Sequence, residues 1–122
     1  MSRLKEALET GKFGVTAEMA PPKGYDFTEQ LEAGKLLAPK VHAVNVTDMQ
    51  SASLKASSLG LCIALKNAGV EPILQMTGRD RNRMAIMGDI LSVCGELRHR
   101  LGSRAHRRPS GRGRLQGRKA CI

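Results

Sequence analysis

Three short apolar runs in this chain each end in polar side chains, and those ends are where the sequence could do chemistry. FGVTAEM (13–19) contains Glu18, VHAVNV (41–46) is followed by Thr47-Asp48, and EPILQM (71–76) holds Gln75 and leads into Thr77. Glu18 stands beside Ala17, Met19 and Ala20, a setting that would favour the protonated carboxyl and suit a general acid. Strand ends are also polar simply because solvent begins there, and both readings stay open at this level. The run RDRNR (79–83) offers guanidinium forks and free amides for a phosphate at a helix start, or else a solvated first turn. His42 opens a strand and reads as structural, while Met84 and Met87 read as part of an apolar core stripe. Cys62, Cys94 and Cys121 are too dispersed for a paired metal motif, so no metal site is expected. Their odd number also fits poorly with a disulfide framework, so a cytoplasmic location is expected.

The elements that must carry these residues alternate in type. A short helix over 3–10 and a turn at Gly11 precede the first strand, which Pro21-Pro22 stops. Asp26 and Glu29 have capping-pair spacing before a helix with Leu31, Leu36 and Leu37 on its apolar face. After the second strand, Ser53 is placed to cap a helix bearing Leu54, Leu61, Cys62, Leu65 and Ala68, which Gly69 ends. After the third, Asp80 is placed to cap a helix with Met84, Met87, Ile90, Leu91, Cys94 and Leu97 in one stripe. Strand–helix units repeated in this way imply parallel strands with right-handed crossovers. No glycine-rich phosphate loop follows the first strand, which argues against a dinucleotide-binding start.

Composition divides the chain in two. Of its 20 Lys and Arg, nine lie in residues 98–122 with no Asp or Glu, leaving 11 basic against 11 acidic side chains in residues 1–97. The net charge of +9 therefore belongs to the tail. No apolar run is long enough to span a membrane, and the mixed-charge start MSRLKEALETGK is not a secretory signal.

Three ordered segments, VTAEMAPPKG (15–24), HAVNVTDMQSA (42–52) and EPILQMTGRDRNR (71–83), closely resemble methylenetetrahydrofolate reductases, and the resemblance runs from Phe13 to Leu97. It implies an α/β fold, here a partial (β/α)8 TIM barrel of about three β/α units with the active site at the strand carboxyl ends. It implies an FAD flavoprotein that passes a hydride from NADH, NADPH or another reductant to 5,10-methylenetetrahydrofolate, giving 5-methyltetrahydrofolate in one-carbon metabolism and methionine biosynthesis. Glu18 matches the family's catalytic glutamate, which protonates the folate and opens its five-membered ring to an iminium. Thr47 matches a threonine beside both flavin and substrate, Gln75 falls where relatives carry Gln or His next to the flavin, and Thr77 belongs to the same segment. Gly78 departs from the cysteine expected after that threonine. The intact relative can be a homo-oligomer, and no membrane partner is implied.

Residues 98–122 do not fit this pattern, and are expected to be a disordered basic tail outside the family domain of residues 1–97. A full barrel takes roughly 250 residues, and a fourth strand is due just after Leu97. RHRLGSRAHRRPSGRGRLQGRKACI has no apolar run and reads as out-of-frame translation. Decoded one nucleotide later, with free choice among synonymous codons, it permits GIDSVLALTGDHQVGDASKAAKPVY. That string looks like the family's continuation, a strand VLAL followed by TGDH. On this reading the 122-residue chain is truncated and inactive alone. The alternative is a basic nucleic-acid-binding or interaction protein using the Arg-rich tail, a reading weakened by the absence of aromatic residues there for base stacking.

Overall fold

The computed structural model describes the backbone of residues 2–105 and the side chains of residues 2–95. Its elements run α1 (Arg3–Glu9), β1 (Thr16–Met19), α2 (Thr28–Leu37), β2 (Ala43–Val46), a 3-10 turn (Gln50–Ala52), α3 (Ser58–Asn67), β3 (Pro72–Leu74) and α4 (Arg83–Ala105). The strands form one parallel sheet in the order β1-β2-β3. That order is common to the opening of a β/α barrel and to half of a doubly wound sheet, and it excludes a 2-1-3 arrangement with β1 in the middle. Among the described residues, 2–80 form one compact unit and those from Arg81 onward belong to a second.

Each strand is shorter than its apolar run. β1 starts at Thr16, leaving Phe13 87% exposed. β2 starts at Ala43, and β3 covers only Pro72–Leu74. Pro72 lacks an amide hydrogen and is tolerated as the first residue of its strand. His42 has the structural role expected of it: its N–H donates to the Val15 carbonyl (2.8 Å), and its Nδ1 accepts from the Val15 N–H (3.1 Å).

Pleat alternation sorts the strand residues. Met19, Val44, Val46 and Leu74 share one face, and α2 and α3 cover it with Leu31, Leu37, Leu61, Cys62 and Leu65. α2 approaches through Gly34, where an added Cβ would lie 2.6 Å from Leu65 Cδ2 and 3.4 Å from Val70 Cγ2. The apolar face of α2 is therefore Leu31, Gly34 and Leu37, whereas Leu36 is 73% exposed. α3 closes on Gly69 (φ +84°): the Gly69 N–H donates to the Lys66 carbonyl and the Val70 N–H to the Leu65 carbonyl. This doubly bonded glycine stop also brings Val70 into the core.

Several helix starts differ from the sequence expectation. Ser53 closes the 3-10 turn, its N–H donating to the Gln50 carbonyl, and does not cap α3, which begins at Ser58; Leu54 is 82% exposed. Asp26 Oδ1 accepts from both the N–H and the hydroxyl of Thr28, an Asx turn just ahead of α2. Those bonds, the hydroxyl's first, hold the Asp26 carboxyl below its ordinary pKa. Before α4 it is Asn82, not Asp80, whose side chain accepts from the Ala85 N–H. Asp80 instead binds the Arg79 guanidinium. Met84, Met87, Ile90 and Leu91 are 47–82% exposed, so they are not the core stripe expected of them. Periodicity identifies an apolar helix face but not a partner for it. α4 also continues through Leu97 to Ala105, so residues 98–105 are helical where a disordered tail was expected. The remainder of that expectation, residues 106–122, lies outside the described residues.

Two outcomes follow from this packing. Gly34→Ala is expected to lower the unfolding free energy by about 1–3 kcal/mol through overpacking against Leu65, read from urea midpoints; an unchanged midpoint would show that the two helices adjust freely. Burial pushes the Cys62 thiol up from 9.0 to about 11. The folded chain therefore keeps this proton after the unfolded chain has lost it, and the stability present below pH 9.0 is lost as pH rises towards 11. The urea midpoint of the unsubstituted chain should fall more steeply over that interval than that of Cys62→Ala; parallel curves would contradict it.

Candidate functional site

The same alternation that buries Met19 and Val46 turns Glu18 to the opposite face. Glu18 is in register with Asn45, and Asn45 with Ile73. Carried one step past the strands, the ladder continues through Thr47 N–H to the Met19 carbonyl (3.0 Å) and Gln75 N–H to the Val46 carbonyl (3.2 Å). Thr47 and Gln75 thus follow β2 and β3 as lateral neighbours on the side of the sheet that carries Glu18. α2 and α3 cover the other face, and Glu18 is solvent-exposed rather than held among apolar neighbours. Its flanking residues Ala17 and Met19 belong to the helix-covered face and cannot desolvate it, which corrects the sheltered setting expected from sequence.

A hydrogen-bonded cluster joins the strand ends. The Thr77 N–H donates to Asp48 Oδ2 (2.9 Å), and the Thr77 hydroxyl donates to the Asp48 carbonyl (2.8 Å). Ser58, fully buried at the start of α3, lies 2.9 Å from the Gln75 carbonyl and 3.3 Å from Asp48 Oδ1 through its Oγ. Asp48 itself is 6% exposed. One residue further, the chain turns through Met49 (φ 45°), Ser51 (φ 59°) and Ala52 (φ 54°), three non-glycine residues in the left-handed region. Arg79 Nη2 donates to the Met49 carbonyl (3.1 Å) and fixes this turn from the β3 side. The turn presents Gln50, whose Nε2 donates to Glu18 Oε1 at 3.3 Å.

Of the expected site residues, Thr77 and Gln75 are tied by Asp48 and Ser58 to the segment after Thr47, and Glu18 joins them through Gln50. Thr77 spends both its N–H and its hydroxyl proton within the cluster, leaving only acceptor capacity at Oγ1. Thr47 Oγ1 is buried without a hydrogen-bond partner, while the Gln75 side chain is exposed. The phosphate reading of RDRNR loses support: Arg79 is bound to Asp80, whose hydrogen bond and charge raise the guanidinium pKa further, and Arg81 pairs with Asp89 at 3.8 Å. Gly78 has no atom within 4 Å of an added Cβ, so nothing steric demands glycine there. The roles of Asp48, Gln50 and Ser58 were not anticipated. Asp48 was visible only as a polar strand end, whereas pairing across 10 and 32 residues leaves no local spacing signal for Ser58 and Gln50.

A shallow concavity of about 190 Å³ lies elsewhere, lined by Arg3, Glu6, Thr10, Lys12 and His42. It is at the amino ends of the strands, the face that serves stability in β/α folds. No group of His, Cys, Asp and Glu able to hold a metal occurs among the described residues, and no described helix is long and apolar enough to cross a membrane.

Neither a curated protein nor a solved structure matches the chain significantly. A family match does exist, to Methylenetetrahydrofolate reductase, and it spans residues 3–97. It takes in all three strands, the Asp48 cluster and every candidate site residue, and it stops where the basic composition begins. Over that span, well beyond half of its length, the chain belongs to the methylenetetrahydrofolate reductase family.

Proposed function

We propose that the carboxyl ends of β1, β2 and β3 form part of a flavin and folate site, and that the fold is the opening of a TIM barrel. The reaction is the reduction of 5,10-methylenetetrahydrofolate to 5-methyltetrahydrofolate, with NADH, NADPH or another reductant as donor. One observation carries this reading: Glu18, Thr47, Gln75 and Thr77 lie at the carboxyl ends of three adjacent parallel strands, where Asp48 and Ser58 tie Thr77 to the Gln75 carbonyl and Gln50, from the turn after β2, reaches Glu18. Family membership itself implies an oxidoreductase of folate one-carbon metabolism.

The residues present suit FAD. Thr47 Oγ1 is a buried hydroxyl with no hydrogen-bond partner among the described residues, at a strand end where a heteroaromatic ring could offer one. Gln75 adds an exposed amide on the neighbouring strand, and Thr77 braces the segment between them. FAD, when bound, supplies the hydride chemistry. The chain's part is to orient the rings and to handle one proton. Glu18 Oε1 is occupied by the Gln50 amide, which leaves Oε2 to carry the proton delivered to the folate as its five-membered ring opens. Exposure of Glu18 in the free chain gives that proton a route from solvent.

The basic segment from Arg98 onward has a separate reading, as the fourth strand and its sequel translated in the wrong frame. Sequencing the gene across the Leu97–Arg98 junction tests it: a shifted frame without an apolar strand followed by TGDH would overturn it.

Flavin binding tests the proposed site. Quenching of FAD fluorescence by the 122-residue chain should be saturable, and Thr47→Val, which keeps the side-chain volume and removes the hydroxyl, should weaken binding by roughly 5–30-fold. Binding that ignores this substitution, or no flavin binding beside steeply salt-dependent binding of an RNA oligonucleotide, would favour the basic-tail alternative. The three strands among the described residues are fewer than half of the roughly eight that surround such a site. The 122-residue chain alone is therefore expected to show no reductase turnover, and turnover abolished by Glu18→Gln would contradict that expectation.

A further inference from the structure

We propose that Asp48 is a positioning residue that sets the spacing between the ends of β2 and β3, and so the placement of Thr47 and Gln75. The proposal rests on the reading of those strand ends as the ligand site.

A parallel strand pair is held by slanted backbone bonds that cease where the strands end. Here the Gln75 N–H to Val46 carbonyl bond, at 3.2 Å, extends the β2–β3 ladder. Beyond it the two segments leave the ladder, one into the left-handed turn and the other towards Gly78. Asp48 bridges the divergence with two bonds to Thr77, one through its carboxylate and one through its own carbonyl. Its other carboxylate oxygen faces Ser58 Oγ, which also reaches the Gln75 carbonyl. Asp48, directly after Thr47, therefore sits between the first residue of α3 and Thr77, which is two residues past Gln75.

Ser58 has one proton and two oxygens within reach, and the Gln75 carbonyl is the nearer at 2.9 Å. With the proton directed there, Ser58 Oγ is free to accept a bond. An asparagine at position 48 fits this arrangement: its Oδ1 accepts the Thr77 N–H and its Nδ2 donates to Ser58 Oγ. Such an asparagine keeps the hydrogen-bonding geometry while removing the charge. Arg79 feels the Asp48 charge as well, but after the hydrogen bond and charge of Asp80, which lies 2.6 Å from its Nη2.

Amide hydrogen exchange on the 122-residue chain tests this without any ligand. Asp48→Ala is expected to speed exchange at Thr77 and Gln75 by about tenfold or more, as a half-buried donor loses a charged acceptor. The Val70 N–H, bonded to the Leu65 carbonyl at the far end of α3, should keep its rate. Asp48→Asn should restore slow exchange at Thr77 and Gln75. If Asp48→Ala does not fold, Thr77→Val removes only the hydroxyl bond to the Asp48 carbonyl, and should speed the same two amides by a smaller factor. Unchanged rates in the variants, equal acceleration at Val70, or an Asn variant as fast as the Ala variant would each overturn the proposal. A failed FAD titration beside the expected exchange pattern would remove the flavin reading and leave the bracing by Asp48 intact.

Discussion

Pleat alternation in a parallel sheet sends neighbouring residues to opposite faces, and in this chain it divides core from chemistry between Glu18 and Met19. Met19, Val44 and Val46 drive folding because α2 and α3 seal their face, with Leu61 and Leu65 fully buried beneath. Glu18 and Asn45 are in register on the other face. A one-residue slip would exchange the two sets, burying a carboxylate and exposing the core. Register is therefore what makes a site possible, and the packing of Gly34 against Leu65 helps to hold it.

Past the strands the sheet no longer supplies order, and side chains take over. Asp48 ties the end of β2 to Thr77, Ser58 reaches the Gln75 carbonyl, and Arg79 holds the Met49 carbonyl. These bonds surround a turn with three left-handed non-glycine residues, each costing about 1–3 kcal/mol. Backbone of this kind persists where neighbouring contacts determine it, and here they do so on both sides. Its product is the position of Gln50 against Glu18. The unpartnered Thr47 hydroxyl lies just before the turn. Ligand binding would relieve the cost of a buried polar atom with no partner.

Much of the fold was legible because local signals sufficed. The strand–helix alternation, the glycine stop after α3 and the structural part of His42 all rest on residues close in sequence or on simple periodicity. Helix starts were less legible. Ser53, Asp26 and Asp80 have capping side chains, but the tertiary path moved α3 to Ser58, turned Asp26 onto Thr28 and paired Asp80 with Arg79. The apolar face of α4 was readable as a face and not as an exposed one. At the site, the strand-end positions of Glu18, Thr47, Gln75 and Thr77 followed from pattern, whereas the exposure of Glu18 did not. A residue's flanks in sequence lie on the opposite side of a sheet, so Ala17 and Met19 said nothing about what surrounds it. Asp48, Ser58 and Gln50 act across long separations, which no spacing rule reports.

The carboxyl ends of these three strands, and not the amino-end concavity or the basic tail, are the proposed flavin site. Backbone amide chemical-shift mapping of the isotope-labelled chain titrated with FAD tests it most directly. The largest perturbations are expected at Thr47–Gln50 and Gln75–Thr77, with little change at Arg3, Lys12 and His42. Perturbations centred on the concavity lined by Arg3, Lys12 and His42, or confined to residues after Arg98, would contradict it.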